Sequence, residues 1–439
     1  MTMPNFPIRI TVGRDVQLLV AIVAVLAATA CGSSSTGPSA PTGSLTVTIA
    51  TPGGVTPAVT VSGPGGYSRS LSATTTLTGL AAGSYTITAA PVTTAGAIVG
   101  TVNTATVSGS PATVSAAVPA TASATYAQRG GSGGLWVANH NTSQTVAQYT
   151  GSQLASTTSA APATTVNTGL INNFGVAFDA NGNLWVSTYG QSTIQEYSPS
   201  QLSAGGTPVP ILILSQAVYG ATGVAFDASG NLWVVGNSSF GVIVRFTPAQ
   251  LAAGGNPTPS LVITMSVQTP MAPNGIAFDS QGNLWVSSGA TNTLLEYTAA
   301  QITAPGVLTP AITLTANGNS IDGPLLIAFD PNGNLWVANG GNNSVVAFSA
   351  GELATSGSPT PSITLTANAG SLDNPAGLAF DASGNLWVSN MSGNTVVEFA
   401  ASQLAASGSP TPSVTVSGAS LNGPVGLAFD PHASNLPLK

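Results

Sequence analysis

Few side chains in this sequence could perform acid–base or nucleophilic chemistry near neutral pH. The 439 residues include two histidines, His140 and His432, and a single cysteine, Cys31. A Cys–His pair or a Ser–His–Asp triad needs a histidine held beside its nucleophile. The two histidines are expected at opposite ends of one repeat unit, and the cysteine lies in an N-terminal signal. The sequence therefore predicts no catalytic residue and no cofactor.

Aspartates recur in a pattern that could be read as a calcium loop. Six Ala-Phe-Asp sequences occur, most of them continuing as Asp-Ala-Asn-Gly-Asn or a close variant. A calcium loop of the EF-hand type needs more oxygen ligands and a bidentate glutamate at its twelfth position, and both are missing here. We instead expect each aspartate to accept backbone hydrogen bonds in a tight turn, with the glycine at positive φ. These aspartates are Asp179, Asp227, Asp279, Asp330, Asp381 and Asp430.

The aspartates mark a repeat with a period of 48 to 52 residues. One unit, residues 175–214, contains four predicted strands: GVAFD, NLWVST, TIQEYS and PVPILIL. Four short strands in every repeat are typical of a β-propeller blade. A Leu-Trp-Val sequence also occurs six times, and we interpret its tryptophans as wedges between blades rather than as platforms for sugars. They are Trp136, Trp185, Trp233, Trp285, Trp336 and Trp387, which are all the tryptophans of the chain.

The repeat resembles the NHL family, whose blades carry a Gly-x-Ala-x-Asp strand, a Gly-Asn turn and an aromatic-Val strand. The resemblance covers residue 134 to the end of the chain and implies an all-β, six-bladed propeller over residues 134–432. The first copy lacks its Ala-Phe-Asp strand and the last copy has only that strand. We therefore expect one shared blade, with three strands from residues 134–167 and the fourth from 425–430, and a frayed tail at 433–439. The outer strand of each blade is preceded by prolines, so its edge is expected to face solvent.

The N-terminus is typical of a secretory signal: arginines precede a short apolar run that ends in small residues at Ala30. Together with the next residue, Cys31, this run resembles a bacterial lipobox. The resemblance implies cleavage of a signal peptide, residues 1–30, and lipidation of Cys31, with Gly32 pointing to the outer membrane or cell surface. Several acyl chains would hold the protein at a membrane. An ordinary secretory signal and a short N-terminal anchor remain alternatives, and residues 31–44 are predicted to be a flexible tether.

Residues 45–127 alternate apolar and polar side chains between turn residues, which predicts a small β-sandwich before the propeller. The sequence LTGLAAGSYTITA, residues 77–89, resembles the PEGA and carboxypeptidase-regulatory-like modules. That resemblance implies a spacer between the membrane and the propeller, with glycan binding as the alternative.

The charge balance limits the kinds of partner. After residue 30 only four cationic side chains remain, against twelve acidic ones. Nucleic acid binding needs clustered Lys and Arg, so nucleic acid is excluded as a partner. Glu196, Glu296 and Glu398 occupy one position of the third strand and are interpreted as solvated charges. We expect a monomer.

Loops between second and third strands share one face of a propeller with the links between blades, and the copies differ most in these loops. A partner site would be expected there, for a protein or a glycan. The favoured function is a non-catalytic binding or scaffold protein. The alternative is an enzyme similar to gluconolactonases or streptogramin lyases, with a metal at the propeller axis, although the inner strands GVAF, GIAF, LIAF and GLAF contain no ligand. The candidate face comprises His140, Asn141, Asn173, Phe174, Tyr189, Tyr219, Asn237, Phe240, Met271, Asp322, Asn339, Asp373 and Met391.

Overall fold

The structure is a computed structural model, and its described residues are 42–51, 56–90, 92–93, 102–116, 118–128, 134–215, 218–238, 240–266, 272–381 and 383–430. The predictions for Cys31, Met271, His432, the signal peptide and the C-terminal tail concern residues outside these ranges. Within the described residues, no helix is long and apolar enough to cross a membrane.

Residues 42–128 form two sheets around one apolar core. The first strand begins at Thr42, so the predicted tether of residues 31–44 overlaps this strand by three residues and that boundary was wrong. The first sheet has the order Thr75–Ala81, Thr42–Ala50, Ala120–Gln128, Val102–Ser108 and Val92–Thr93, and the second has the order Tyr67–Leu71, Ala58–Gly63, Gly83–Ala90 and Ala112–Val114. A 3₁₀ turn at Pro64–Gly66 connects two strands of the second sheet.

The motif at residues 77–89 contributes to both sheets of this module. Leu77 lies in one sheet and Tyr85 in the other, and both side chains are buried in the common core. The hydroxyl of Tyr85 donates a hydrogen bond to the carbonyl oxygen of Ala81 at 3.1 Å. Buried tyrosine hydroxyls need such partners, so this bond allows a large aromatic ring to fill the core.

Residues 134–430 form six sheets of four antiparallel strands, one of them extended by a fifth strand, which is the organisation of a β-propeller. We number the sheets as blades 1 to 6. In blades 1 to 5 the strands follow one another in chain order across the sheet. Blade 1 consists of Asn173–Phe178, Leu184–Thr188, Thr193–Tyr197 and Leu212–Ser215; blade 2 of Ala221–Phe226, Leu232–Gly236, Val242–Phe246 and Leu261–Met265, with Gly306–Leu308 added; blade 3 of Pro273–Phe278, Leu284–Ser288, Thr293–Tyr297 and Ile312–Thr315; blade 4 of Pro324–Phe329, Leu335–Asn339, Ser344–Phe348 and Ile363–Thr366; blade 5 of Pro375–Phe380, Leu386–Asn390, Thr395–Phe399 and Val414–Val416.

Blade 6 is built from residues far apart in the chain. Its strands Leu135–Asn139, Thr145–Tyr149 and Thr164–Asn167 are joined by Pro424–Phe429, which pairs antiparallel with the first of them. Leu135 lies opposite Phe429, and Trp136 lies opposite Ala428. In blade 6 the strand equivalent to the first strands of the other blades is Pro424–Phe429. The first strands of successive blades contact one another, and Pro424–Phe429 contacts the first strands of both blade 5 and blade 1. The six first strands therefore form a closed cycle of contacts.

Each tryptophan of blades 1 to 5 packs against the next blade. The ring of Trp185 meets Phe226 of blade 2 edge to face, with centroids 6.0 Å apart, and the four following pairs repeat this contact at 5.7 to 6.4 Å. Trp136 shares a buried cluster with Phe178 of blade 1. Such pairs add stability beyond the burial of their area. The repeated tryptophans thus fill the spaces between neighbouring sheets.

The outer edges of the blades do not simply face solvent, contrary to the expectation from the prolines. The link between the third and fourth strands of one blade pairs with the outer strand of the preceding blade. Gly357 pairs with Leu314, Gly408 with Leu365, and Gly206 with Val166. In blade 1 the side chain of Asn256 takes this role, since its amide bonds the backbone N–H and carbonyl of Ser215 at 2.9 and 3.2 Å. Each of these edges is therefore covered by its neighbour, which limits strand pairing with other molecules.

Short helical turns introduce these covering links. The helix Pro199–Ala204 begins after Ser198, whose side chain and that of Gln201 form a reciprocal capping box. The same Gln side chain donates to the carbonyl of Val209 and so holds the link against the turn. Equivalent turns are the helices Gly151–Leu154 and Pro248–Ala253 and the 3₁₀ turns Gln301–Thr303 and Ala401–Leu404.

Candidate functional site

The loops of the predicted binding face come together within each blade. The loop after the second strand bonds the link that precedes the first strand of the same blade. Tyr189 N–H donates to Asn172 O at 3.0 Å, Asn237 N–H to Gly220 O at 2.9 Å, and Met391 N–H to Asn374 O at 2.9 Å. These loops therefore lie on one side of the ring, which we call the loop face.

Three aromatic side chains of the loop face are exposed on blades 1 and 2. Tyr219 is 76% exposed, Phe240 is 69% exposed and Tyr189 is 38% exposed. The ring of Tyr189 lies over Gly220, where an added Cβ atom would be 3.1 Å from it. The absence of a side chain at Gly220, the residue after Tyr219, thus leaves room for the ring of Tyr189. Exposed aromatic rings on adjacent blades are a candidate binding surface, because aromatic residues are enriched at interfaces.

Several residues predicted for the binding face are buried and hold loops instead. Asn339 is fully buried: its Oδ1 accepts from Asp322 N–H at 3.2 Å, and its Nδ2 donates to Ser320 O and Ser344 Oγ. Asn173 is also fully buried, and its Oδ1 accepts from the Thr168 hydroxyl at 3.1 Å. These two asparagines are loop anchors, so their placement among surface contacts was wrong.

Phe174 and His140 form one contact below the loop face. Phe174 is buried, and its ring meets the imidazole of His140 edge to face with centroids 5.6 Å apart. Burial lowers the pKa of His140, and a hydrogen bond to the backbone of Asn173 partly opposes this effect. Nδ1 of His140 is buried without a hydrogen-bond partner in the described part of the chain. The imidazole therefore packs against the Phe174 ring with one nitrogen unpartnered among the described residues.

The two carboxylates of the loop face lie at equivalent positions of blades 4 and 5. Asp322 accepts weak hydrogen bonds from the amides of Asn292 and Asn319 at 3.5 and 3.4 Å. The backbone N–H of Asp373 donates to Asn390 Oδ1 at 3.1 Å. Both side chains are half-buried. Within the described residues there is no group of three His, Cys, Asp or Glu side chains that could hold a metal ion.

Two further candidate residues, Asn141 and Asn237, take part in contacts between loops. Asn141 N–H donates to Asn422 O at 3.3 Å, which joins a loop near the start of the propeller to the link near its end. The amide of Asn237 donates to Asn274 Oδ1 at 3.1 Å, which joins blade 2 to blade 3. The first contact is made by the backbone of the exposed residue Asn141 and the second by the side chain of Asn237, and both hold neighbouring loops together.

Asparagines that the sequence did not single out tie neighbouring blades together at the loop face. Asn292, Asn343 and Asn394 precede the third strands of blades 3, 4 and 5 at φ angles of 51°, 56° and 49°. Their Oδ1 atoms accept from backbone N–H groups of the following blade, at 2.8, 2.7 and 2.7 Å. Asparagine tolerates this left-handed conformation better than most residues. Its recurrence just before the third strand was the available sequence signal.

Near the loop face, apolar side chains from four blades meet at the centre of the ring. Phe174, Ala376 and Val425 form a buried cluster with Leu325, Leu326 and Met391 packed against it. These residues come from blades 1, 4, 5 and 6, and in a ring only the axis brings such blades together. The equivalent positions of blades 2 and 3 are Thr222 and Asn274, whose side chains bond backbone carbonyls of the next blade at 3.0 Å.

The opposite side of the ring carries the hairpin turns between first and second strands, and we call it the hairpin face. Asp179 Oδ1 accepts from the N–H groups of Asn181 and Asn183 at 2.8 and 2.9 Å. Its Oδ2 accepts from the amide of Asn183 at 2.8 Å and from Trp185 Nε1 at 3.3 Å. Gly182 has a φ of 78°, as a tight turn requires. The same aspartate-to-turn and aspartate-to-tryptophan bonds occur in blades 2 to 5.

Trp136 departs from this pattern in the shared blade, and Asp430 bonds a side chain of another strand. Asp430 Oδ2 accepts from the Gln148 amide at 3.3 Å. Trp136 Nε1 is buried and has no hydrogen-bond partner in the described part of the protein. Trp136 is nonetheless packed between blades 6 and 1 like the other tryptophans.

The third-strand glutamates are buried, which corrects the interpretation that they are solvated charges. Glu196, Glu296 and Glu398 are only 7%, 6% and 8% exposed. Burial and, to a smaller extent, the nearby Asp179 raise the pKa of Glu196, the hydrogen bond from Asn183 opposes them, and the net pKa is about 7. Burial, and then a nearby aspartate, also raise the pKa values of Glu296 and Glu398. The sequence placed these side chains on an outward position because the covering by the next blade is not visible in a single repeat.

Comparisons with known proteins bear on the fold. No protein-family model matches the chain, and no curated protein matches its sequence. Among solved structures, a protein of unknown function from Bacteroides caccae matches with 14% identity and a TM-score of 0.50, covering 68% of this chain and 99% of that one. A putative 6-phosphogluconolactonase from Bacteroides fragilis matches with 16% identity and a TM-score of 0.43, covering 67% and 83%.

Virginiamycin B lyase from Staphylococcus aureus matches with 16% identity and a TM-score of 0.36, covering 52% of this chain and 67% of that one. At these identities a likeness concerns the fold alone, and the two matches with TM-scores below 0.5 support no argument about this chain. The NHL and PEGA resemblances therefore rest on the sequence motifs, and the propeller organisation rests on the sheets described above.

Proposed function

We propose that the protein is a non-catalytic, lipid-anchored β-propeller that binds a protein or glycan partner at its loop face. The observation that carries the proposal is the exposed group of Tyr189, Tyr219 and Phe240 on adjacent blades. Aromatic rings contribute large contact areas at interfaces and can also stack on sugar rings. The loops around them carry amides and hydroxyls rather than Lys or Arg, which suits an uncharged partner surface.

The proposed architecture has six blades in a closed ring, with the ends of the chain sharing blade 6, preceded by a β-sandwich that acts as a spacer. Two facts support it: the first strands contact one another in a complete cycle, and Pro424–Phe429 pairs with Leu135–Asn139. The two sheets of residues 42–128 share one core, as a sandwich requires. The module has no charged group in its core, which suits a structural role.

Lipid anchoring is the part of the proposal that rests on the sequence alone. The lipobox-like residues before Cys31 place the lipid at the end of a Ser-, Gly- and Pro-containing tether. Such a tether and the first module would hold the propeller away from the membrane at the outer membrane or cell surface. Replacement of the cysteine, Cys31→Ser, should move the protein from the membrane fraction to the soluble fraction. Retention of this variant in washed membranes would contradict lipidation.

Partner binding is tested by comparing two double variants of the Cys31→Ser protein. Tyr219→Ser/Phe240→Ser removes the two most exposed rings of the aromatic group, whereas Val209→Ser/Ile213→Ser removes apolar side chains, 81% and 40% exposed, from the outer edge of blade 1. A glycan array and a pull-down from the secretome of the source cells separate the two partner classes. We expect the first variant to lose the bound partner and the second to keep it. If both variants retain the partner equally well, the proposal that the loop face binds it is wrong.

A further inference from the structure

A cleft of 760 Å³ lies between blades 1 and 2 on the hairpin face, and Ala90 of the N-terminal module contributes to its lining. Its apolar wall includes Ile211, Phe226 and Leu251, and the edge of Trp185 contributes to it. Its polar groups include Asp179, Asp227, Asn183 and Glu196. Small-molecule sites commonly have volumes of about 300–1,000 Å³ and combine an apolar wall with a few polar groups. The cleft is on the opposite side of the ring from the loop face.

The two aspartates of the cleft are saturated by their own turns. Asp179 accepts four hydrogen bonds from Asn181, Asn183 and Trp185. Asp227 likewise accepts four hydrogen bonds, from Ser229, Asn231 and Trp233. These carboxylates therefore have little capacity left for a ligand.

Glu196 differs from the aspartates because half of its carboxyl group is unused. Its Oε1 accepts from the amide of Asn183 at 2.7 Å. Its Oε2 accepts no hydrogen bond from the described residues, although the side chain is only 7% exposed. The equivalent glutamates of blades 3 and 5 have no such bond to the turn asparagine, whose Oδ1 instead accepts from the backbone N–H of Ala299 or Ala401. Blade 1 thus holds its glutamate in a fixed position at the cleft.

Among the described residues of the propeller, no cationic side chain compensates this carboxyl group. Arg245 is the only Lys or Arg between residues 134 and 430. It lies over the ring of Trp233, 5.5 Å from the centroid, and its Nε donates to Ser260 Oγ at 3.2 Å. A buried carboxylate without a cationic partner is costly, so the group either keeps its proton or gains stability from a cation that enters the cleft.

We propose that the cleft between blades 1 and 2 binds a small primary amine with an apolar body. Its ammonium group donates to Oε2 of Glu196, and its apolar body packs against Ile211, Phe226 and Leu251. The raised pKa of Glu196 adds a consequence: an ammonium ion binds the ionised carboxylate, so affinity increases from pH 6 to pH 8. Asp179 and Asp227 are the other titratable groups that line the cleft.

Benzylamine is a suitable probe because it combines an ammonium group with an apolar ring, and benzyl alcohol is its uncharged analogue. Titration calorimetry of the full chain at pH 8 should show saturable binding of benzylamine at one site. We expect binding to weaken about tenfold or more for benzyl alcohol, and equally for benzylamine with the Glu196→Gln variant, because a charge-assisted hydrogen bond is lost.

The matched control is Glu296→Gln, which changes a buried glutamate at the same strand position of blade 3. This variant should bind benzylamine as the unchanged protein does, and melting curves of both variants establish that they are folded. Equal losses in the two variants would overturn the assignment to Glu196. Equal binding of benzyl alcohol and benzylamine would overturn the preference for a cation. Absence of saturable benzylamine binding would overturn the site.

Discussion

Replacing Gly426 with alanine tests whether the two ends of the chain close the ring. Gly426 lies in the strand of the last repeat that pairs with Leu135–Asn139. A Cβ atom added there would overlap the carbonyl oxygen of Phe174 in blade 1 and would lie 3.0 Å from the backbone nitrogen of Val176. The glycine is not at a positive φ angle. The effect of alanine would therefore be purely steric and would arise only if blade 6 contacts blade 1.

The loss of folding stability expected for Gly426→Ala depends on how far the neighbouring atoms can move. The overlapping atoms belong to the backbone of an inner strand, which cannot rotate away as a side chain can. Overpacking of this kind costs about 3 kcal/mol. Chemical denaturation monitored by tryptophan fluorescence measures it well, because all the tryptophans lie in Leu-Trp-Val strands of the propeller. We expect Gly426→Ala to lower the denaturation midpoint without changing the slope of the transition.

Two other glycines calibrate this result. Gly377 of blade 5 approaches the carbonyl oxygen of Val425, in the strand Pro424–Phe429, in the same way. Gly377→Ala should therefore lower the free energy of unfolding by a similar amount. Gly351 has no atom within 4 Å of an added Cβ atom and no positive φ, so Gly351→Ala should leave the midpoint unchanged or raise it slightly. If Gly426→Ala behaves like Gly351→Ala while Gly377→Ala destabilises, the closure of the ring through Pro424–Phe429 is refuted.

Three further predictions concern the glutamates, the loop face and the axis. The folded-state pKa of Glu196, about 7, lies above its unfolded value, so the stability due to the protonated form is complete at pH 4 and is lost as the pH rises through 7. The loss should be roughly 2 kcal/mol, and Glu196→Gln should reduce this pH dependence in denaturation curves at pH 5 and 8. Asn394→Gly keeps the left-handed backbone but removes the bond to Gly423 N–H, which should cost about 1 kcal/mol in the same assay. Elemental analysis of the purified protein should detect no stoichiometric Ca²⁺ or Zn²⁺; one metal ion per chain would instead favour the lactonase- or lyase-like alternative.

The strands could be predicted because their signals are local. The Ala-Phe-Asp and Leu-Trp-Val sequences mark the first and second strands of every blade. Because the first repeat lacks Ala-Phe-Asp and the last lacks Leu-Trp-Val, the sequence predicted the pairing now seen between Pro424–Phe429 and Leu135–Asn139. The start at Thr42 was missed by three residues because threonine, glycine and serine suit a tether as well as a strand end. Local composition cannot distinguish these states when the deciding contact, the pairing with Thr75–Ala81, lies about thirty residues away.

The site residues were harder to predict because their environment is set by the next blade. Glu196 occupies a position that a single sheet would expose, yet it is only 7% exposed, and the turn and helix of blade 2 line the same narrow cleft. Asn339 is in a loop-like sequence, yet its amide is enclosed by bonds to Ser320, Asp322 and Ser344. Of the residues predicted for the candidate face, Asn141 and the aromatic residues Tyr189, Tyr219 and Phe240 are the exposed ones within the described part of the chain.

The loop face is not equivalent around the ring, because different side chains tie its loops to the neighbouring blades. Asn292, Asn343 and Asn394 bond each loop of blades 3 to 5 to the following blade. The corresponding residue of blade 2 is Gly241, which has no side chain and cannot make this bond. Phe240 precedes it and projects into solvent. In blade 1 the hydroxyl oxygen of Ser192 accepts from Gly220 N–H at 2.9 Å, and in blade 2 the amide of Asn237 donates to Asn274 Oδ1, so the loops of blades 1 to 5 are all tied to the next blade, but through different groups.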